Sequence, residues 1–353
     1  MAALALMGSL GSLGVVGGSA AAVAVNTLYV STTGSDAPNT CSTPATPCAT
    51  INYAISVAVA GETIKVASGT YLQTVAVTKP IRLIGAGPTR SIINGTGIDP
   101  FPLYGVVYVG PTGGASSVSG FGITGAAEYA ETGGEPEVVA LADSNPSDSV
   151  VITHDIISLG VDPGSSTDFP IGIDSFNNTA TTTISHNTVS GTFQGALLED
   201  NGPVSFDHNK VKSLIANTVG VTPDVTTFVA EGLFFLSDLG TSLTGQNASN
   251  NTFSSYGGYG IIMEAGYNNG NCSITPCNGS IAGAILHNRL ALQASSPAVG
   301  IDLQSRFNGN NLTATVSNNH GFVTSPDQGV VQQASNGATI SVIGNGNRIR
   351  VKP

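Results

Sequence analysis

The chain has 353 residues, 41% of them hydrophobic and only 9% charged, with 45 glycines, 18 prolines and no tryptophan. Eleven Lys and Arg stand against 22 Asp and Glu, and the resulting net charge of −11 repels polyanions and argues against nucleic acid as a partner. A mean hydropathy of +0.21, carried by recurrent Val and Ile, excludes an intrinsically disordered chain.

Residues 1–25 consist almost wholly of Ala, Leu, Val, Gly, Ser and Met, and close on Ala20-Ala21-Ala22-Val23-Ala24. An uncharged apolar run ending in small residues reads as a signal-peptide-like segment and predicts export. Gly8, Gly11, Gly14, Gly17 and Gly18 make it a poor membrane anchor, so no integral membrane segment is expected after processing. The four cysteines agree. Cys41 and Cys48 are 7 residues apart, Cys272 and Cys277 are 5 apart, and both pairs lie in polar loops. Two local disulfides in an oxidising compartment are the simplest reading, whereas a zinc site calls for closer C-x-x-C pairs.

Between Pro47 and Ala60, Ile51, Ala54, Ile55 and Ala58 recur at helical spacing, with Thr50 near the start and Gly61 beyond the end. This predicts a short amphipathic helix held by the Cys41/Cys48 staple. From Glu62 onward the chain turns to short β-type runs, including 63–66, 74–77, 81–84 and 105–109, separated by Gly, Asn, Ser, Thr and Pro.

Two signatures then repeat. The first places a His/Asn pair between apolar residues: Ile152-Thr153-His154-Asp155-Ile156-Ile157, then His186-Asn187, His208-Asn209, Asn250-Asn251, His287-Asn288 and Asn318-Asn319. The second is a glycine opening an apolar strand, at Gly172, Gly195, Gly232, Gly260, Gly300 and Gly329. From glycine to the next asparagine pair the intervals are 15, 14, 19, 28 and 19 residues, the longest spanning Cys272 and Cys277. A near-constant half-turn alternating with an elastic one describes a solenoid, in which each coil buries its apolar face against the next.

This pattern resembles the right-handed parallel β-helix of the pectin-lyase-like superfamily, over roughly residues 63–351. Leu28-Tyr29-Val30, Pro47-Cys48-Ala49-Thr50-Ile51, Gly69-Thr70-Tyr71 and Leu83-Ile84-Gly85 resemble the N-terminal cap of exported bacterial β-helix proteins. The expected organisation is a signal-like segment (1–25), a cap (26–61) and an all-β parallel β-helix (62–353) with a short N-terminal capping helix.

The stacked His154, His186, His208 and His287 suit a transition metal, but a residue repeated at every turn is first a structural device. Strand alternation points to a different site. If Ile173, Ala196, Leu233, Ile261 and Ile301 face inward, then Asp174, Glu199, Glu264 and Asp302 lie on the outer face of one sheet. The resemblance places polysaccharide hydrolase and lyase sites on such a face. Two carboxylates about 5 to 9.5 Å apart can cleave a glycosidic bond, and neighbouring coils bring Glu264 and Asp302 into that range. Tyr256, Tyr259 and Tyr267 suit sugar stacking and Arg306 a carboxylated sugar. No cofactor is required, although paired Asp residues also suit Ca²⁺. Complete motifs of the superfamily's enzymes are missing: Asn319-His320-Gly321 is a fragment, and Arg348-Ile349-Arg350 sits close to the end. Outward acids on an acidic protein also read as ordinary solubilising residues. The expectation is therefore a secreted or cell-surface β-helix that binds or presents to extracellular polysaccharide. The alternative is a lyase or glycoside hydrolase using the four acids.

Overall fold

The computed structural model describes residues 26–98, 105–125, 137–159, 170–212, 231–237, 241–255, 258–266, 279–292, 298–306, 309–324 and 328–352. The segment 1–25, Cys272, Cys277, Tyr256 and Tyr267 lie outside these residues.

Each coil supplies one strand to each of three sheets, and every strand pairing is parallel. Among the described residues the first sheet has eleven strands, running from Thr27–Val30 to Thr339–Ile343. The second has nine, from Val75–Val77 to Gln328–Ala334, and the third has ten, from Gly69–Leu72 to Arg348–Lys352. The expected right-handed parallel β-helix is the fold the chain adopts. One inward column of the first sheet shows the principle: Leu28, Ile64, Leu83, Val118, Ile152, Ile184, Phe206, Ala248, Ile285 and Val316 follow one another in register, all buried. Each large aliphatic member contributes about 1.5–3 kcal/mol by leaving water. Phe206 stacks toward Phe253 at 6.5 Å, and Ala248 follows it in the column with a smaller side chain.

Both sequence signatures have a physical cause. The Asn column is a hydrogen-bonded ladder inside the turn between the first and third sheets. Asn187 Oδ1 accepts from the Asp155 backbone N–H at 2.9 Å, while its Nδ2 donates to the Ile152 carbonyl at 2.9 Å. Asn209, Asn251, Asn288, Asn319 and Asn347 repeat the pattern, so each buried turn has its peptide groups satisfied by the coil below. The residue before each rung, at His154, His186, His208, Asn250, His287 and Asn318, sits at φ 53–60°. Asn and His tolerate this left-handed conformation better than β-branched residues do.

The glycine column has a different cause, which is space. A Cβ on Gly195 would lie 2.4 Å from the Gly232 carbonyl oxygen, one on Gly232 2.4 Å from that of Gly260, and one on Gly260 2.6 Å from that of Gly300. Only glycine lets these coils stack at about 4.8 Å.

The capping helix differs from its expected extent. The helix spans Ile51–Val57, shorter than 47–60. Thr50 is its N-cap, accepting from the Tyr53 N–H, and Asp36 accepts from the N–H groups of Ala49 and Thr50. Lys79 Nζ donates to the Ser56 and Ala58 carbonyls, ending the helix from a bend more than twenty residues further on. Cys41 and Cys48 form the expected disulfide. The cap is continuous with the solenoid, because Thr27–Val30 pairs with Thr63–Val66 as the first strand of the first sheet. Among the described residues no helix is long and apolar enough to cross a membrane.

Candidate functional site

The four acids project from the outer face of the second sheet, in two adjacent columns. One column runs Asp174, Leu197, Phe234, Ile262, Asp302, Val331; the other runs Phe176, Glu199, Leu236, Glu264, Gln304, Gln333. Alternation thus gives the direction correctly, but the register divides the acids into two pairs. Asp174 and Glu199 belong to adjacent coils, as do Glu264 and Asp302. The strand Glu231–Ser237 lies between the pairs and presents Phe234 and Leu236 where further acids would have joined them.

Phe234, Leu236 and Ile262 form a small apolar cluster of their own, with Leu197 and Tyr259 packed against it. Tyr259 is therefore part of this patch. Burial raises the pKa of its phenol, and the charge of Asp302 adds to the effect.

The second pair is the more unusual. Glu264 is 1% exposed and Asp302 0%, which overturns the reading of these two acids as solubilising surface groups. Their offset of one coil and two residues puts the Cα atoms about 8 Å apart, from a strand spacing of about 4.8 Å and a rise of about 3.3 Å per residue. The Arg306 guanidinium pairs with Glu264 and donates to Gln304 Oε1 at 2.6 and 3.1 Å. Gln304 Nε2 in turn donates to Asp302 Oδ2 at 2.6 Å, and Gln333 Nε2 reaches both Asp302 oxygens at 3.2 Å. Arg306, expected to meet a carboxylated sugar, is engaged by the protein's own Glu264 and Gln304.

The two acids have different electrostatic settings. Burial pushes the Glu264 carboxyl up to about 7, against the opposing charge of Arg306 and with some help from Asp302. Burial also raises Asp302, but the amide donors of Gln304 and Gln333 favour its ionised form. Gln304 and Gln333 were not singled out from the sequence. Their signal was positional: both occupy the Glu264 column, one and two coils further on.

The histidine column is built differently. The rings of His154 and His186 stack at 4.9 Å, those of His186 and His208 at 5.0 Å, with planes within 4°. Parallel rings do not converge their nitrogens on one point. Among the described residues no group of three His, Cys, Asp or Glu side chains is placed to hold a metal ion. Asp207 contacts His208 and also accepts from Ser249 at 2.6 Å and Asn250 at 3.1 Å, as part of the repeating turn.

No family model and no curated protein matches the chain. Among solved structures, a pectin methylesterase from carrot is similar over 92% of this chain and 90% of that one, at 11% identity and a TM-score of 0.45. A DFA-IIIase from Arthrobacter chlorophenolicus A6 is similar over 83% and 89%, at 13% identity and 0.42. Pectate lyase Pel9A is similar over 91% and 79%, at 16% identity and 0.37. At this distance the likeness concerns the course of the chain and not its chemistry.

Proposed function

We propose that the protein hydrolyses a glycosidic bond of an extracellular polysaccharide on the outer face of the second sheet, with Glu264 as general acid and Asp302 as general base. One observation carries this reading: two buried carboxyl groups on adjacent coils, one holding its proton close to neutrality and the other held by amide donors, with Arg306 against the first. Perturbed acids of unlike environment, grouped at one place, are the arrangement acid–base chemistry requires.

In the proposed step, Asp302 takes a proton from water as the water oxygen bonds to the anomeric carbon. Glu264 gives its proton to the departing glycosidic oxygen as that bond breaks. Gln304 and Gln333 hold Asp302 in place, Arg306 positions Glu264, and Tyr259 with the Phe234 patch offers an apolar wall for a sugar ring. Glu199 lies two coils and Asp174 three coils away from Glu264, and neither has a part in this step. The reading includes export, which the Cys41–Cys48 disulfide supports because such bonds persist in oxidising compartments.

The full burial of Glu264 and Asp302 favours a second reading, in which the rod only binds or presents to polysaccharide and the cluster braces the sheet. Incubation with a panel of neutral and uronic polysaccharides, with and without Ca²⁺, separates the two. New reducing ends without unsaturated product, lost in Glu264→Gln and Asp302→Asn, support hydrolysis. Unsaturated product would mean elimination, and retention on a polymer without product would leave the binding rod.

A further inference from the structure

The positive charge of this acidic protein is concentrated on one face. Six of its eleven Lys and Arg, Lys210, Lys212, Arg289, Arg348, Arg350 and Lys352, lie in strands of the third sheet. None of that sheet's ten strands contains an Asp or Glu. Among the described residues the acids lie in the other two sheets, the turns and the loops.

The register stacks these cations. Lys210, Thr252, Arg289, His320 and Arg348 form one outward column. Ser254, Ala291, Phe322 and Arg350 form the next, with Lys212 at its head by continuation. Lys210, Lys212, Arg289, His320, Arg348 and Arg350 are all exposed. Among the described residues none of these Lys and Arg side chains forms an ion pair with an acid. Asp207, across the turn, is taken up by His208, Ser249 and Asn250. At the lower end the face hollows into a groove of about 750 Å³, bordered by Arg289, Asn318, His320, Phe322, Arg348 and Arg350. Gly321 and Gly346 line it without side chains, so its floor lies at the level of the backbone.

We propose that this outer face of the third sheet, from Lys210 to Arg350, is a docking surface for an acidic polysaccharide. Charge complementarity is the argument. Unpaired cations recur along the solenoid axis on every second coil, about 9.6 Å apart, over five coils or about 19 Å. They match a chain whose carboxylate or sulfate groups recur along its length. Phe322 adds an aromatic surface beside Arg350 in the groove, where a sugar ring can pack. Nucleic acid fits less well. Its denser charge would meet the net −11 of the protein on either side of the strip, and the strip has no series of aromatic side chains on which bases could stack. This surface belongs to a different sheet from Glu264 and Asp302, and the inference does not rest on the hydrolytic reading.

The test is affinity for polygalacturonate, with a neutral galactan and single-stranded DNA of similar length as comparisons, at two salt concentrations. The full chain should bind polygalacturonate, release it as salt rises, and ignore galactan. Arg348→Gln/Arg350→Gln should weaken binding about tenfold, from two exposed charge-assisted contacts. Lys65→Gln/Arg82→Gln, which removes the same charge from the exposed face of the first sheet, should change it less than about twofold. If thermal melting shows the Arg348/Arg350 variant misfolded, Arg289→Gln replaces it. Equal weakening by both charge-removing pairs, no binding to polygalacturonate, equal binding to galactan, or tighter binding to DNA would each overturn the proposal.

Discussion

Asp155 is the one acid in the Asn ladder, and replacing it with asparagine should make the protein more stable. Its Oδ1 accepts from the Phe121 N–H at 2.7 Å, as an asparagine would. Its Oδ2 occupies the place of an amide nitrogen and has no hydrogen-bond partner. The carbonyl that an amide would reach is that of Val118, because Asn187 in the next coil donates to Ile152 and Ile152 is registered on Val118. A carboxylate cannot donate there, so the side chain is held as the neutral acid. Burial pushes its pKa up to about 8, from 3.8 in the unfolded chain, against hydrogen bonds that pull it down.

The sign follows from proton binding. Below about pH 4 both states hold the proton and Asp155 costs nothing. Between pH 4 and 8 only the folded state holds it, so stability declines as pH rises, and above 8 the cost levels off. At pH 7 the accumulated cost is about 4 kcal/mol, at 1.36 kcal/mol per pH unit. Asp155→Asn removes this cost and gives the Val118 carbonyl a donor. Urea unfolding followed by circular dichroism at pH 4, 5.5 and 7 should show an advantage for the variant that is close to zero at pH 4 and widens toward pH 7. A variant no more stable than the parent at pH 7, or an advantage that widens toward acid, would refute the reasoning.

The same ladder predicts that Asn251→Ala is strongly destabilising. It strands the Asn209 N–H and the Phe206 carbonyl in a buried turn, at about 1–3 kcal/mol each, and the urea midpoint should fall accordingly. Gly232→Ala tests the glycine column, because its Cβ would lie 2.4 Å from the Gly260 oxygen and 2.7 Å from the Phe253 ring. Its melting temperature should drop by more than that of Gly191→Ala, where the built Cβ meets nothing within 4 Å even though φ is +71°.

Periodicity made the architecture legible before any coordinates, because a solenoid writes one structural requirement into each coil. The glycines mark where backbones approach too closely for a side chain, and the asparagines mark where a turn buries its peptide groups. Features that depend on contacts across coils were less visible. The cap helix ends at Val57 because Lys79, more than twenty residues on, caps its carbonyls. The pairing of Glu264 with Asp302 follows from register and was within reach of the repeat. Their burial was not, since it depends on Arg306, Gln304 and Gln333 closing around them. The basic face was hidden for the same reason: Lys210, Arg289 and Arg348 are far apart in sequence and share a column only when the coils stack.

The most direct test of the proposed site is the pH dependence of kcat/KM for polysaccharide cleavage, in the parent protein and in Arg306→Gln. The account predicts activity that falls above about pH 7 as Glu264 loses its proton. Arg306 lowers the pKa of Glu264, so its removal should carry this limb to higher pH. A limb that stays in place without Arg306, or activity that climbs through pH 8, would contradict the assignment of Glu264 as the acid.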